Sequence, residues 1–266
     1  MDRLFYFGGY ALFNNAKVLI VDDNSVNIFV LAKMLESYGL EADFASSGPE
    51  AVTKCQGKVY DLIFMDHMMP GQDGIETLNI LKQDENFKTP VVVLTGNTEE
   101  GIEDMYMKAG FVAYMKKPVN NDVLSDVIEK YLGADGSVAG SPAPVSDNPK
   151  RDKMLACGFD IIDTLLETGI SIESYEEMLT IFAEESRELI PECEEYANEL
   201  NMREYAVIVH GLKNDAAMIS DKALSDHAKK HEIESKADNK DFVMRNWHNL
   251  RKHWEKTLGR IDKYFE

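Results

Sequence analysis

The sequence predicts two folds in succession: a doubly wound, five-stranded parallel α/β domain over residues 17–132, then an all-α, up-and-down helical bundle over 152–266. Three observations carry this. From Lys17, short apolar runs, most of them β-branched, alternate with stretches of helical periodicity, five of each. Beyond the midpoint no strand-like run survives, and the helical stretches are joined by short connections, which makes neighbours antiparallel. Between the halves, Gly133 to Pro149 contains Gly-Ser and Ser-Pro-Ala-Pro without any periodicity and reads as a linker, with the flexible segment set at 133–151.

Val18 to Val21 is continuous, apolar and β-branched, the pattern of a buried strand; Asp22-Asp23-Asn24-Ser25 ends it. Val26 to Tyr38 has helical spacing with Gly39 as a stop, and a weaker strand covers Ala42 to Ala45. A helix over Glu50 to Gln56, the strand Leu62 to Met65 and a helix from Ile75 to Lys82 follow. Pro90 to Thr95 is the cleanest strand; then come a helix over Glu99 to Ala109, a short strand at Phe111 to Tyr114, and a helix from Asp122 to Leu132. In the second half a short helical stretch after Gly158-Phe159-Asp160 closes near Gly169. Ser174 to Glu177 has capping-box spacing ahead of a long helix that Pro191 should kink or break. Helices over Asn201 to Ile219 and Asp221 to Ala237 precede a last one carrying Phe242, Trp247, Leu250, Trp254, Leu258 and Ile261.

The composition excludes several function classes. The formal charge of −19 argues against a nucleic-acid partner, whose phosphates demand Lys and Arg, and against adhesion to anionic lipid. Both halves share it: residues 1–131 hold 11 Lys and Arg against 20 Asp and Glu, and residues 132–266 hold 17 against 27. Cys55, Cys157 and Cys193 are scattered, without a CxxC pair, which points to a reducing, cytoplasmic compartment rather than a disulfide scaffold or zinc site. No apolar run approaches the roughly 20 residues of a spanning helix. The short apolar segment Leu4 to Phe13 lacks a basic leader and cleavage site; residues 1–16 read as an arm on the first domain or a remnant of a longer parent chain.

Four of the five strands end in polar or charged residues able to face one point. Asp22 and Asp23 close the first, Asp66 the third and Thr95 the fourth, while Lys117-Pro118 follows the fifth. In an open parallel sheet the carboxyl ends of the strands are where ligands bind. Three crowded carboxylates repel one another and make sense around a cation, and magnesium suits hard oxygen ligands and pairs with phosphate. Lys117 supplies a positive charge for phosphoryl oxygens and Thr95 a hydroxyl donor, which is most of what phosphoryl transfer requires.

Residues 17–131 resemble the receiver domain of response regulators and hybrid histidine kinases. The matching text is Val18-Leu19-Ile20-Val21-Asp22-Asp23-Asn24, Met65-Asp66-His67-Met68-Met69-Pro70-Gly71-Gln72-Asp73-Gly74, Leu94-Thr95-Gly96-Asn97 and Tyr114-Met115-Lys116-Lys117-Pro118. The resemblance implies a flavodoxin-like sheet. It also implies Asp66 as phosphoacceptor and magnesium held by Asp22, Asp23, Asp66 and the Met68 backbone carbonyl. Thr95 and Lys117 would contact the phosphoryl group, with Thr95 and Tyr114 as the switch pair and Gly96 leaving room beside them. His67 is turned away from Asp66 by strand alternation and is expected to be structural.

A second candidate lies at Val207-Ile208-Val209-His210-Gly211-Leu212-Lys213-Asn214-Asp215-Ala216-Ala217. Lys213, three residues on, shares a helix face with His210, and an exposed imidazole beside an ammonium suits transient phosphorylation. His227, His231, His248 and His253, set among charges, read as solvated or half-buried. Residues 152–264 resemble a histidine-phosphotransfer (HPt) domain, whose core reads His-x-Leu-Lys-Gly; His210, Leu212 and Lys213 match. Asn214 stands where that family usually has a small residue and Ser220 where a glycine usually ends the stretch, which bears on which receivers dock.

The resemblances imply a phosphorelay protein: an upstream histidine kinase donates to Asp66, and His210 exchanges the group with a receiver, downstream or in the same chain. No Gly-rich ATP-binding segment is present, so the chain has no kinase domain of its own. The alternative is a phosphorylation-dependent switch whose bundle only docks or dimerises. A haloacid-dehalogenase-like phosphatase requires Asp-x-Asp after its first strand, which Asp22-Asp23 does not supply.

Overall fold

The computed structural model describes residues 6–7, 10–11, 16–96, 101–133 and 148–266. The chain divides into two compact units, 1–143 with 167–170, and 144–166 with 171–266. Most of the predicted N-terminal arm and of the linker, and residues 97–100, lie outside the described residues.

The first unit opens with a minimal antiparallel pair, β1 (Tyr6–Phe7) and β2 (Tyr10–Ala11). A five-stranded parallel sheet follows. In chain order the elements are β3 (Val18–Val21), α1 (Ser25–Ser37), β4 (Ala42–Ala45), α2 (Gly48–Gly57), β5 (Leu62–Asp66), α3 (Gly74–Leu81), β6 (Val91–Thr95), α4 (Ile102–Ala109), β7 (Ala113–Lys116) and α5 (Asn121–Leu132). The strand order is β4-β3-β5-β6-β7. From β3 the chain steps outward to β4, then returns past β3 to lay down β5, so the crevice where topology reverses opens between the ends of β3 and β5. β3, β5 and β6 are buried along their whole length, which is why they read as unbroken apolar runs rather than alternating ones.

Local signals fix the helix starts. Asn24, Ser47 and Asp73 each cap a helix with a side-chain oxygen, and Asp73 with Glu76 completes a capping box. One strand is displaced from its predicted place: β7 spans 113–116 rather than 111–114. Gly110 closes α4 in the left-handed conformation, and the Phe111 amide bonds back to the Tyr106 carbonyl at 3.1 Å. Phe111 therefore ends the helix with its ring in the core instead of starting the strand.

In the second unit α6 (Pro149–Ala156) begins inside the segment expected to be flexible to 151; Asn148 caps it and Pro149 occupies its first turn. After α7 (Ile162–Thr168) come α8 (Ile172–Glu199), α9 (Met202–Met218), α10 (Lys222–Lys236) and α11 (Lys240–Phe265). The last four are joined by connections of two or three residues and pack in a ring, α8 on α9, α9 on α10, α10 on α11 and α11 back on α8. Two expectations are corrected. The cap of α8 is Ser171, three residues before the predicted one, and of the kink or break expected at Pro191 the break does not occur, the helix being continuous over Ile172–Glu199. A proline removes one helical hydrogen bond, and buried Ile190 and Cys193 beside it anchor the helix on both sides. Among the described residues no helix is long and apolar enough to cross a membrane.

Candidate functional site

Asp66 ends β5 between β3 and β6, and its neighbours arrive from the flanking strand ends. Carboxylate oxygens of Asp22, Asp23 and Asp66 all lie within 4.8 Å of one another. Asp22 and Asp66 are buried, while Asp23 faces solvent. Lys117, just past β7, reaches back across the sheet edge: its Nζ lies 2.6 Å from Asp22 Oδ2 and 2.9 Å from Asp66 Oδ1. The backbone amide of Lys117 donates to the Thr95 carbonyl at 2.8 Å, which fixes where the side chain begins. Asp22 Oδ1 also accepts from the Asn24 amide and the Asn27 side chain at 3.0 and 3.1 Å, locking that carboxylate in place.

The electrostatics follow from the burial. Desolvation, reinforced by Asp22 and Asp23, pushes the Asp66 carboxyl above the ordinary carboxylate range against the pull of Lys117. Burial alone would lower Lys117, but Asp22 and Asp66 outweigh it and hold the ammonium above its usual value. Three carboxylates and one lysine, all ionised, leave a surplus of two negative charges in a largely desolvated pocket. That donor set of hard oxygens with uncompensated charge fits a divalent cation such as magnesium. Met68, two residues after Asp66, is partly exposed in the following loop. The loop turns tightly against Asp66: Gly74 donates its amide to the His67 carbonyl at 2.9 Å, and a Cβ on Gly74 would collide with the Asp66 carbonyl oxygen.

Thr95 ends β6, fully buried. Its hydroxyl accepts a hydrogen bond from Tyr106 of α4 at 2.9 Å, and Tyr106 Oη also lies 2.8 Å from His67 Nδ1. Tyr114 sits half-buried on β7 opposite Val93, and among the described residues no hydrogen bond reaches its hydroxyl. Sequence reasoning had no role for Tyr106. Its signal was position: it lies four residues before Gly110, on the face of α4 that must meet the sheet.

The second set of predicted residues gathers in the bundle. His210 and Lys213 of α9 face Glu232 of α10, a residue sequence reasoning missed. His210 Nδ1 lies 2.6 Å from Glu232 Oε1, Lys213 Nζ 2.8 Å from Oε2, and Lys236 Nζ 2.6 Å from Oε1. With Glu232 ionised, His210 Nδ1–H donates to it, and Nε2 carries the lone pair. Burial opposes the Glu232 charge, yet His210, Lys213 and Lys236 together hold its carboxyl far below the usual range. Burial lowers His210, with Glu232 working against that and Lys213 adding to it. The imidazole is less open than expected, with 15% of its side chain exposed.

His231 is also corrected. It is fully buried, its Nδ1 lies 2.6 Å from Tyr205 Oη, and burial lowers it to about 4. The period Leu224, Ala228, His231, Ser235 marks the buried stripe of α10 and could have located both His231 and its neighbour Glu232. Asn214 is half-buried on α9; Ser220 adopts a left-handed conformation (φ 59°), which accounts for the glycine expected there.

Comparison with known proteins places the first unit. Residues 18–129 match the response regulator receiver domain family. The chain is similar to the autoinducer 2 sensor kinase/phosphatase LuxQ of Vibrio harveyi, 35% identical over 117 residues, and to transcription factor SKN7 of Saccharomyces cerevisiae, 32% identical over 115. These matches cover 44% and 43% of this chain but only 14% and 18% of the relatives, so the chain spans a small fraction of their length. Among solved structures it is similar to the receiver domain of a Pseudomonas aeruginosa sensor histidine kinase with magnesium in its active site cleft (30% identity, 45% of this chain, 99% of that one, TM-score 0.42). With the sheet order, the strand-end acids and the family match in agreement, residues 18–129 are a response regulator receiver domain.

Proposed function

We propose that this chain is a phosphorelay protein in which Asp66 accepts a phosphoryl group from a kinase phosphohistidine and His210 exchanges it with a receiver. The observation that carries the second half of this reading is the 2.6 Å contact between His210 Nδ1 and Glu232. It assigns the proton to Nδ1 and leaves Nε2, which no described residue hydrogen-bonds, as the nucleophile.

In the first step an Asp66 carboxylate oxygen forms the bond to phosphorus as the donor's P–N bond breaks, and the electron pair departs on the imidazole nitrogen. Lys117 stands between Asp22 and Asp66, placed to neutralise a phosphoryl oxygen once Asp66 is esterified. Asp22, Asp23, Asp66 and the Met68 carbonyl would hold a magnesium ion, which would supply charge neutralisation of the phosphoryl oxygens. In the second step His210 Nε2 attacks phosphorus and the P–O bond breaks, returning the Asp66 carboxylate. Glu232 holds the Nδ1–H by accepting its hydrogen bond and balances the charge that develops on the ring, while Lys213 and Lys236, both paired with Glu232, bring positive charge to the cluster for the incoming phosphoryl oxygens. The partners are an upstream histidine kinase and a receiver, either a downstream one or this chain's own; the setting is the cytoplasm. Thr95 and Tyr114 remain the proposed switch pair, and Asn214 and Ser220 bear on receiver docking.

The test is a radiolabelled transfer assay with the full chain. The acyl phosphate at Asp66 is destroyed by base, whereas phosphohistidine survives it. Wild type is expected to acquire base-stable label after the receiver is charged, Asp66→Asn to acquire none from a kinase, and His210→Gln to hold only base-labile label. Base-stable label persisting in His210→Gln would show that the bundle is a docking module and not a relay.

A further inference from the structure

Beside the proposed phosphoacceptor lies a chain of polar groups, of which the function proposed above uses only Thr95. Tyr106 is completely buried, its ring edge-on to His67 at 5.2 Å and to Phe111 at 5.9 Å. Packed on both sides, the ring cannot swing, so its hydroxyl is fixed between Thr95 Oγ1 at 2.9 Å and His67 Nδ1 at 2.8 Å. His67 follows Asp66 directly, and its amide donates to the Leu94 carbonyl at 3.0 Å, tying the end of β5 to β6. The phenol thus joins the two strand ends that carry the acceptor and the threonine.

We propose that Tyr106 is a positioning residue for phosphoryl transfer to Asp66, acting through the Thr95 hydroxyl. This rests on Asp66 being the acceptor. A hydroxyl has one hydrogen to give, so the chain His67–Tyr106–Thr95 runs in one of two directions. If Thr95 donates to Tyr106 and Tyr106 to His67 Nδ1, the Thr95 hydrogen is consumed within the chain. If His67 Nδ1–H donates to Tyr106 and Tyr106 to Thr95, a Thr95 lone pair is occupied and its hydrogen must point elsewhere.

As the O–P bond forms at Asp66 and the donor's P–N bond breaks with its electrons on nitrogen, negative charge stays on the phosphoryl oxygens. Those oxygens only accept, so only the second direction, in which Tyr106 donates to Thr95 as it does in the structure, serves them. Tyr106 then holds the Thr95 hydroxyl aimed at the phosphoryl group before it arrives, and no reorganisation is required during the reaction. The residue that governs Thr95 here sits on α4 and not on β7, where no hydrogen bond among the described residues reaches the Tyr114 hydroxyl.

The experiment is a double-mutant cycle in the full chain carrying His210→Gln, so that label reports Asp66 alone. Phosphorylation by phosphoramidate with magnesium is timed for Tyr106 and Tyr106→Phe, each with Thr95 and with Thr95→Val. Phenylalanine keeps the packed ring and removes only the hydroxyl, and thermal melting confirms that each variant is folded. With Thr95 present, Tyr106→Phe is expected to slow labelling about fivefold, the effect of one neutral hydrogen bond. With Thr95→Val the same change is expected to do nothing, because there is no hydroxyl left to aim. Equal slowing in both backgrounds means Tyr106 acts only by packing, and no slowing in either means the phenol is idle; each overturns the inference while the acceptor reading stands. Absence of label in the parent chain overturns the acceptor reading and this inference with it.

Discussion

At the strand ends three carboxylates cluster and two of them share one buried lysine, whereas in the bundle one carboxylate is shared by two lysines and a histidine. Ionised, the first group carries a surplus of two negative charges; the second, with His210 neutral, carries a surplus of one positive charge. A phosphoryl group brings further negative charge to whichever acceptor takes it. Under the proposed relay the receiver site would therefore need a divalent cation before it reacts, while the His210 cluster would have its counter-charge built into the helices. One architecture would make transfer dependent on a diffusible ion, the other on side chains that never leave. In a relay this difference separates a gated step from an ungated one.

The same contrast sets opposite responses to acid, the largest effect expected. Asp66 is held above its ordinary range, so when folded it keeps a proton that it would lose in the unfolded chain, and its contribution to stability grows as pH falls through that range. Glu232 is held below its range, and its contribution is lost as pH falls through the low folded value. His231 is lowered to about 4 from 6.5, so between those values the unfolded bundle takes up a proton that the folded one refuses. The second unit should lose about 3 kcal/mol from His231 alone on going from neutral pH to pH 4, with His210 and His227 shifted the same way. Trp247 and Trp254 both lie in α11, so tryptophan fluorescence follows the bundle alone, and segment-resolved hydrogen exchange in chelator follows the sheet. Matching pH slopes in the two units would remove the electrostatic contrast.

A smaller effect sharpens the bundle side. Glu232→Gln keeps the shape and a hydrogen-bond acceptor but removes the charge that fixes the His210 tautomer. Labelling of His210 is expected to fall about tenfold, the difference between a charged and a neutral partner, with Asp66 labelling unchanged. Equal labelling in wild type and variant would mean Glu232 only anchors Lys213 and Lys236.

The two regions also differ in how much of them could be read from the chain. Asp22, Asp23, Asp66, Thr95 and Lys117 were legible because each terminates a strand or follows one, and parallel-sheet topology brings strand ends to one edge whatever the loops do. Tyr106 was not, since its contact with Thr95 depends on how α4 rotates over the sheet, which the short period of an eight-residue helix does not fix. The displacement of β7 has the same character: Phe111 has strand propensity, but the Gly110 cap claims its amide for the helix. In the bundle His210 and Lys213 were found because they share one helix, while Glu232 sits on another and meets them only through packing. Charged neighbours Lys229, Lys230 and Glu234 hid the buried stripe that places His231 inside. Local chemistry is written along the chain, and contacts between elements are not.

The most direct test of the contrast between the two clusters is chelation. The full chain with His210→Gln, labelled only at Asp66, and the full chain with Asp66→Asn, labelled only at His210, are each exposed to phosphoramidate with magnesium or with excess EDTA. EDTA is expected to abolish label on Asp66 and to leave the rate at His210 unchanged. Loss of label at both residues, or at neither, would contradict the account.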